Sequence, residues 1–208
     1  MAIFHHIFSR IIRGGHTCAV ATAAYRSGSL LKLKTKVTSS EHEEEYTFNY
    51  STKPRIAYSE IILPGYASED LKNRQYLWQF IEDFEDEKCA ELACESIFAI
   101  PEELSLEESI NFIREFVITT YQKENLVADV NIHNEHKNNP HVHIMSPMRK
   151  LQTNGEFGMR LSEEHIKGHL SKVEENFKAI ANIYLEKCGY ALIESNSSPR
   201  YAQMRPWL

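Results

Sequence analysis

The 208-residue chain lacks several features that would place it in a special class of protein. It has no apolar run approaching the ~18 residues that a membrane-spanning helix needs. Its first residues lack the basic-then-apolar layout of a signal peptide, so we expect a cytoplasmic protein. With 42% hydrophobic and 25% charged residues, the composition excludes a disordered or fibrous chain. It predicts one large globular domain, or one domain with an extension.

Cysteine is scarce, with four in the chain and no C-x-x-C pair. The four are scattered through apolar or helical segments, at Cys18, Cys89, Cys94 and Cys188. This distribution favours buried free thiols over disulfides or a zinc knot.

Acidic residues are absent from the first 40 positions, although the whole chain carries a net charge of −6. These positions hold six basic side chains, so the rest of the chain carries −12. The six are Arg10, Arg13, Arg26, Lys32, Lys34 and Lys36. The acidic total argues against a nucleic-acid-binding protein, but the one-sided distribution indicates a local anion site. An equally open alternative is that the basic block pairs with acidic helices elsewhere.

Hydrophobic spacing and turn residues predict a mixture of strands and helices. The predicted strands are 2–8, 45–50, 56–63, 94–100, 126–133 and 141–147. The predicted helices are 17–26, 68–90, 106–121 and 162–188. Thr17 is the expected cap of the first helix and Gly28 its stop, and a turn containing Pro54 joins the second and third strands. We therefore expect an α+β fold with a central, mostly antiparallel sheet of five to six strands and helices packed on one main face.

Histidine is plentiful, and four of the ten histidines fall within eleven residues. Because strand side chains alternate between faces, His133 shares one face of its predicted strand with Asp129 and Asn131. His141 and His143 share one face of the next strand. If the loop between these strands closes symmetrically, His133 lies opposite His141 and three imidazoles converge.

Three imidazoles on one face suit a divalent metal and leave coordination positions open, which is typical of a catalytic site. The alternative is that they are surface histidines on a solvated sheet face. A second pair, His165 and His169, has the i,i+4 spacing of a helical two-histidine site. Ile166 stands there in place of the glutamate of H-E-x-x-H proteases, so we interpret that pair as a surface pair.

Six short motifs follow one another in a characteristic order. They are Ala-Ile-Phe-His (2–5), Ala-Ala-Tyr-Arg-Ser-Gly (23–28), Ser-Glu-Ile-Ile-Leu-Pro (59–64), Leu-Trp (77–78), Phe-Ala-Ile-Pro-Glu-Glu-Leu-Ser (98–105) and Asn-Pro-His-Val-His-Ile-Met (139–145). In this order and spacing they resemble the MobA/MobL (MobQ-type) conjugative relaxases. The resemblance covers about residues 1–190. It implies a relaxase domain at 1–190 and a C-terminal tail at 191–208.

The resemblance also implies the fold and chemistry of HUH endonucleases. Such a protein nicks one strand of plasmid DNA at an origin of transfer, stays attached to the 5′ phosphate through a tyrosine, and later rejoins the strand. Tyr25 matches the family's nucleophile. The matching metal ligands, for which we expect Mg²⁺ or Mn²⁺, are His133, His141 and His143.

An assisting carboxylate in the family is best matched by Glu95. A second family acid would fall at Ile97, where this chain departs from the pattern. Candidate DNA contacts are Arg26, Lys32, Lys34 and Arg149. The expected partners are single-stranded DNA at a transfer origin, accessory mobilisation proteins and a coupling protein, without membrane insertion.

Two other functions stay open at this point. The chain would be a metal-dependent nuclease or phosphoesterase if water were the nucleophile and Tyr25 were structural. It would be a non-catalytic DNA-binding relic of the relaxase fold if the missing second acid had removed activity. The acidic total charge leaves room for this last function.

Overall fold

The computed structural model describes residues 4–14, 17–36, 43–52, 56–85, 90–134 and 139–194. Its strands are β1 (His6–Ile12), β2 (Leu30–Lys36), β3 (Glu43–Asn49), β4 (Ile56–Ile62), β5 (Glu91–Ala99), β6 (Ala128–His133), β7 (His141–Pro147), β8 (Arg149–Leu151) and β9 (Phe157–Arg160). Its α-helices are α1 (Ala19–Ser27), α2 (Arg74–Phe84), α3 (Leu106–Thr120) and α4 (Glu163–Lys187). Two short 3₁₀ helices cover Glu69–Lys72 and Gln122–Glu124. Within these ranges, no helix has the length and apolarity needed to cross a bilayer.

The central sheet has five strands in the order β1-β5-β7-β6-β4, and every neighbouring pair is antiparallel. This confirms the predicted α+β class and the predicted hairpin of β6 and β7. Two further ribbons, β2–β3 and β8–β9, lie outside this sheet. The sequence did not predict β2, β8 or β9.

Both faces of the sheet are covered. One face packs against α3 and α4 through an apolar cluster that includes Val130, Ile144 and Phe177. The other face packs against α1 and α2 through a second cluster that includes Met145 and Trp78. The expectation of one main helical face therefore describes α3 and α4, whereas α1 and α2 occupy the opposite face.

Helix α1 is short, and its two ends are fixed by different residues. The Sγ of Cys18 accepts a hydrogen bond from the Ala21 N–H at 3.2 Å, so Cys18 is the cap and the prediction of Thr17 was wrong. The helix ends at Gly28, as predicted, with φ of 61°. A Cβ there would lie 2.9 Å from Ile56 Cγ1, so the position needs glycine for conformation and for space.

The β3 strand was predicted correctly, but its partner was not. It pairs with β2, and β4 pairs with β6 in the central sheet, so the two do not form the expected hairpin. Pro54 lies outside the described residues. In the ribbon, Lys34 is directly opposite Glu45, and Lys32 Nζ lies 2.6 Å from Glu45 Oε1. The basic block therefore meets acidic partners on this strand and also on helices, where Arg10 pairs with Glu163 of α4 and Arg13 pairs with Glu82 of α2.

The cysteines fit a reduced protein. Cys18, Cys94 and Cys188 are free thiols; Cys18 is buried and the other two are half-buried. Cys89 lies outside the described residues.

Candidate metal centre

Three histidines converge on the face of the sheet that packs against α1. His133 is directly opposite His141, and Asn131 is directly opposite His143, as the symmetric loop predicted. The three ring centroids are 4.5 to 5.3 Å apart, and one nitrogen from each ring lies within 4.8 Å of the other two. His133 and His143 are buried and His141 is half-buried, so the rings do not form a solvated surface patch.

One nitrogen of each ring contacts an oxygen that can accept a hydrogen bond. His143 Nδ1 lies 2.8 Å from Glu95 Oε1, and His141 Nδ1 lies 2.9 Å from the Asn139 carbonyl oxygen. His133 Nε2 lies 2.6 Å from the carbonyl oxygen of Arg26. Since these acceptors carry no proton, each contact requires an N–H on that nitrogen and leaves the lone pair on the other one.

This arrangement fits a divalent metal. Histidine ligands usually donate their second N–H to a carboxylate or a carbonyl, which fixes the ring orientation. Burial and the charge of Arg26 lower the pKa of His143 to about 4, so the ring is neutral at pH 7, as a ligand must be. Among the residues that the structure describes, this is the one group of three such side chains close enough to share an ion.

Glu95 stands behind the histidines and is 3% exposed. Arg26 donates to both of its oxygens, from Nε at 2.7 Å and from Nη2 at 3.1 Å. Burial alone would raise the pKa of Glu95, but the hydrogen bond from His143 and the charge of Arg26 outweigh it and lower that pKa to about 2. Glu95 is therefore a carboxylate at neutral pH. Ile97, where the family's second acid would stand, lies directly opposite His143 and adds no charge.

Tyr25 lies in the last turn of α1, which crosses this face. Its ring is half-buried and packs edge-on against Tyr50, with centroids 5.2 Å apart. Small buried side chains, including Ala23 and Ala24, let the helix approach the sheet closely. The start of α1 is fixed by Glu82, whose Oε1 accepts the Ala19 N–H at 2.5 Å.

Asp129 and Asn131 lie on the same face as His133, as the sequence predicted, but their burial and their partners were not predicted. Asp129 is fully buried and accepts hydrogen bonds from the Arg74 guanidinium, from Trp78 Nε1 and from Asn131 Nδ2, all at 2.8 to 2.9 Å. Asn131 also accepts the Ser59 hydroxyl at 2.7 Å. The helical stripe containing Trp78 indicated core packing, and nothing in its spacing revealed that its N–H meets a buried carboxylate.

The remaining candidate residues lie elsewhere. Lys32 and Lys34 are exposed on β2, where their backbone groups bond to side chains of α2. Arg149 follows the end of β7 remote from His141 and donates to both oxygens of Glu85. DNA contacts by these residues, and by Arg26, stay predictions.

The helical pair His165 and His169 flanks one carboxylate rather than a metal cluster. Glu124 Oε2 lies 3.5 Å from His165 Nε2 and 3.3 Å from His169 Nδ1, and its other oxygen lies 2.8 Å from Lys172 Nζ. The positive ammonium group disfavours a bound dication there.

Comparison with known proteins agrees with the sequence motifs. The MobA/MobL family model matches residues 17–200. This chain belongs to the MobA/MobL family. Among curated relatives, a probable conjugal transfer protein TraA of Sinorhizobium fredii is 30% identical over 170 residues, which is 77% of this chain and 14% of the relative. A mobilization protein MobL of Acidithiobacillus ferridurans is 25% identical over 92% of this chain and 56% of its own length. The chain thus spans only about one seventh of the TraA relative.

Solved structures agree on the fold. One described as "Molecular Basis of Vancomycin Resistance Transfer in Staphylococcus aureus" has a TM-score of 0.79 and 27% identity, and the match covers 92% of this chain and 96% of that one. The conjugative relaxase TrwC, in a metal-bound complex with oriT DNA, has a TM-score of 0.55 and 12% identity over 93% of this chain and 74% of that one. The MobA/MobL chain therefore has the relaxase fold, and the predicted resemblance is confirmed.

Proposed function

We propose that this MobA/MobL chain is a metal-dependent DNA relaxase. Tyr25 nicks single-stranded DNA at an origin of transfer and forms a reversible 5′-phosphotyrosyl intermediate. His133, His141 and His143 hold Mg²⁺ or Mn²⁺, and Glu95 assists through His143. The relaxase domain is residues 1–190, followed by the tail 191–208.

One observation carries this proposal. The three-histidine group lies directly under the last turn of α1, and His133 bonds to the carbonyl of the residue that follows Tyr25. The nucleophile's helix and the metal ligands thus belong to one packed unit. A phosphotransfer site needs such an arrangement, because the attacking oxygen and the charge-stabilising group must act on the same phosphate.

The histidines would hold the ion as neutral ligands. A divalent ion held by these residues would supply the positive charge needed to polarise and orient the scissile phosphate. Glu95 keeps a proton on His143 Nδ1, which leaves the lone pair of that ring on Nε2, where it would be available to an ion. Asn139 does the same for His141 through its backbone carbonyl.

Tyr25 would make the new bond. Its phenolic oxygen gives its proton to solvent and bonds to phosphorus while the bond from phosphorus to the 3′ oxygen breaks, and the leaving strand's 3′ oxygen takes up a proton from solvent. One phosphodiester is exchanged for another, so the reverse reaction can rejoin the strand without ATP. An attacking water molecule would instead hydrolyse the diester and lose this reversibility. A free tyrosine has a pKa near ~10, so a positive local field is needed for attack at neutral pH.

The proposed substrate follows from the family. The curated relatives are named for conjugal transfer and mobilization, and the TrwC structures of the same fold contain oriT DNA. Single-stranded origin DNA is therefore the proposed partner. Accessory mobilisation proteins and a coupling protein stay predictions from the resemblance.

An adduct assay tests the proposal. The protein is mixed with a random-sequence single-stranded DNA library and Mn²⁺, and SDS-resistant conjugates are isolated and sequenced. We expect EDTA-sensitive adducts with a shared sequence. Tyr25→Phe should abolish them, whereas Tyr50→Phe, which removes the hydroxyl of the neighbouring ring, should not. His141→Ala should abolish all activity.

Each other result contradicts the proposal in a recognisable way. Cleavage without an adduct, insensitive to Tyr25→Phe, would indicate a nuclease that uses water. Mn²⁺ binding with neither cleavage nor adduct would indicate a non-catalytic relic of the fold.

A further inference from the structure

We infer that Arg26 is a positioning residue that couples the helix of Tyr25 to two of the three histidines, an inference that rests on the proposed metal-dependent function. Its main-chain carbonyl accepts a hydrogen bond from His133 Nε2 at 2.6 Å. Its guanidinium binds Glu95, which in turn accepts the Nδ1–H of His143. One residue therefore fixes two ligand rings, one through its backbone and one through its side chain.

The side-chain link is rigid. Arg26 Nε and His143 Nδ1 meet the same oxygen of Glu95, at 2.7 and 2.8 Å, while Arg26 Nη2 binds the other oxygen at 3.1 Å. A planar guanidinium bound to both oxygens fixes the plane of the carboxylate. Because Glu95 is 3% exposed, water does not readily replace this partner. The orientation of His143 thus depends on Arg26.

The same residue also contacts the proposed nucleophile. The guanidinium carbon of Arg26 lies 5.3 Å from the centroid of the Tyr25 ring. Two residues later, Gly28 ends the helix in a conformation and a space that only glycine fits, which sets the direction of the last turn. The position of Arg26 is therefore set by its contact with the Tyr25 ring and by the end of the helix at Gly28.

The positive charge of Arg26 and its hydrogen bonds to Glu95 predict opposite effects on metal affinity when Arg26 is replaced. If Arg26 acted through its charge alone, Arg26→Gln would relieve repulsion of a cation and tighten metal binding. If Arg26 acts by holding Glu95 and hence His143, the same substitution weakens metal binding. Changes to outer partners of metal ligands typically reduce affinity ~10–100-fold.

The test is Mn²⁺ affinity, measured by titration calorimetry on metal-free protein. We expect Arg26→Gln to bind Mn²⁺ at least ~10-fold more weakly than wild type. The matched control is Arg114→Gln on α3, which breaks an ion pair with Glu60 of β4 and should leave Mn²⁺ affinity unchanged. Thermal unfolding in EDTA verifies that the variants are folded. In Arg26→Gln/Glu95→Gln, the two effects should be strongly non-additive, because Arg26 acts through Glu95.

Unchanged or tighter Mn²⁺ binding by folded Arg26→Gln would overturn the inference. If that variant fails to fold, Arg26→Lys replaces it, since lysine keeps the charge but not the planar two-oxygen contact, and wild-type affinity would then overturn the inference. Weaker binding to single-stranded DNA in EDTA with unchanged Mn²⁺ affinity would assign Arg26 to DNA instead.

Failure of the proposed function and failure of this inference give different results. Wild-type protein that binds no Mn²⁺ would overturn both together. If the wild-type protein forms a Tyr25 adduct but Arg26→Gln binds Mn²⁺ with unchanged affinity, only the inference is overturned.

Discussion

The two faces of the central sheet are both buried, but they are filled by different chemistry. The face under α3 and α4 holds a cluster of aromatic and aliphatic side chains, in which Phe177 contacts four other phenylalanines. The face under α1 and α2 holds a second apolar cluster, but it also contains buried hydrogen-bonding groups, among them Glu95, Asp129 and His143. A buried polar group is costly unless it is paired, and each of these three has a named partner. Both faces stabilise the fold through apolar packing, and the face under α1 and α2 also holds buried charged groups in fixed positions.

The largest effect is expected on the apolar face. Phe177 is fully buried, so Phe177→Ala should lower the free energy of unfolding by about 3–5 kcal/mol through lost burial and a cavity. Denaturant unfolding in EDTA measures this. Met159→Ala, at a side chain that is 88% exposed, should change it by no more than ~0.5 kcal/mol. Equal effects of the two substitutions would show that the side chains under α3 and α4 do not form a stabilising core.

A slightly smaller effect is expected on the polar face. Asp129→Asn leaves the guanidinium of Arg74, whose side chain is 16% exposed, without its carboxylate. Breaking a buried ion pair by removing one partner costs about 3 kcal/mol or more. The control is Glu60→Gln, which breaks a more exposed pair with Arg114 and should cost less than ~1 kcal/mol. Unfolding curves that do not separate the two variants would contradict the contrast between the faces.

The apolar face contains a buried histidine, His6, and pH tests its contribution to stability. His6 stacks on Phe98, lies next to Glu174 and directly follows His5 in the chain; burial lowers the pKa of His6 despite Glu174. A lowered histidine pKa means that the unfolded chain binds the proton more readily, so stability is lost as pH falls below ~6.5. We expect unfolding free energy to drop less between pH 7.5 and 5.5 in His6→Gln than in wild type. An identical drop in the variant and in wild type would show that His6 does not contribute to the loss of stability at low pH.

The smallest effect is expected in the β2–β3 ribbon, where Lys34 is exposed. Lys34→Gln should change stability by less than ~1 kcal/mol, because surface ion pairs contribute little. If Lys34 contacts a phosphate, as the sequence predicted, the salt dependence of single-stranded DNA binding should fall by about one unit of slope. An unchanged slope would assign the charge of Lys34 to its acidic neighbours on β3.

The same contrast explains what the sequence could predict. The histidine face was predictable because alternation along β6 and β7, with a short loop, is a local pattern that places His133 opposite His141. Helix α3 was equally predictable from local sequence, because Ser105 and Glu108 form the capping box at its start. The partners of the polar face were not predictable in this way. Arg26 and Glu95 are 69 residues apart in the chain, and Arg74 and Asp129 are 55 apart. No local pattern in the sequence therefore predicts that these residues meet.

The direct test of the central claim is to locate the covalent bond. The Mn²⁺-dependent conjugate with single-stranded DNA is digested with nuclease and protease, and the nucleotide-bearing residue is found by tandem mass spectrometry. The account predicts a phosphotyrosyl nucleotide on Tyr25 and on no other residue. A nucleotide on Tyr50 or on any other side chain, or cleaved DNA with no nucleotide-bearing peptide, would contradict it.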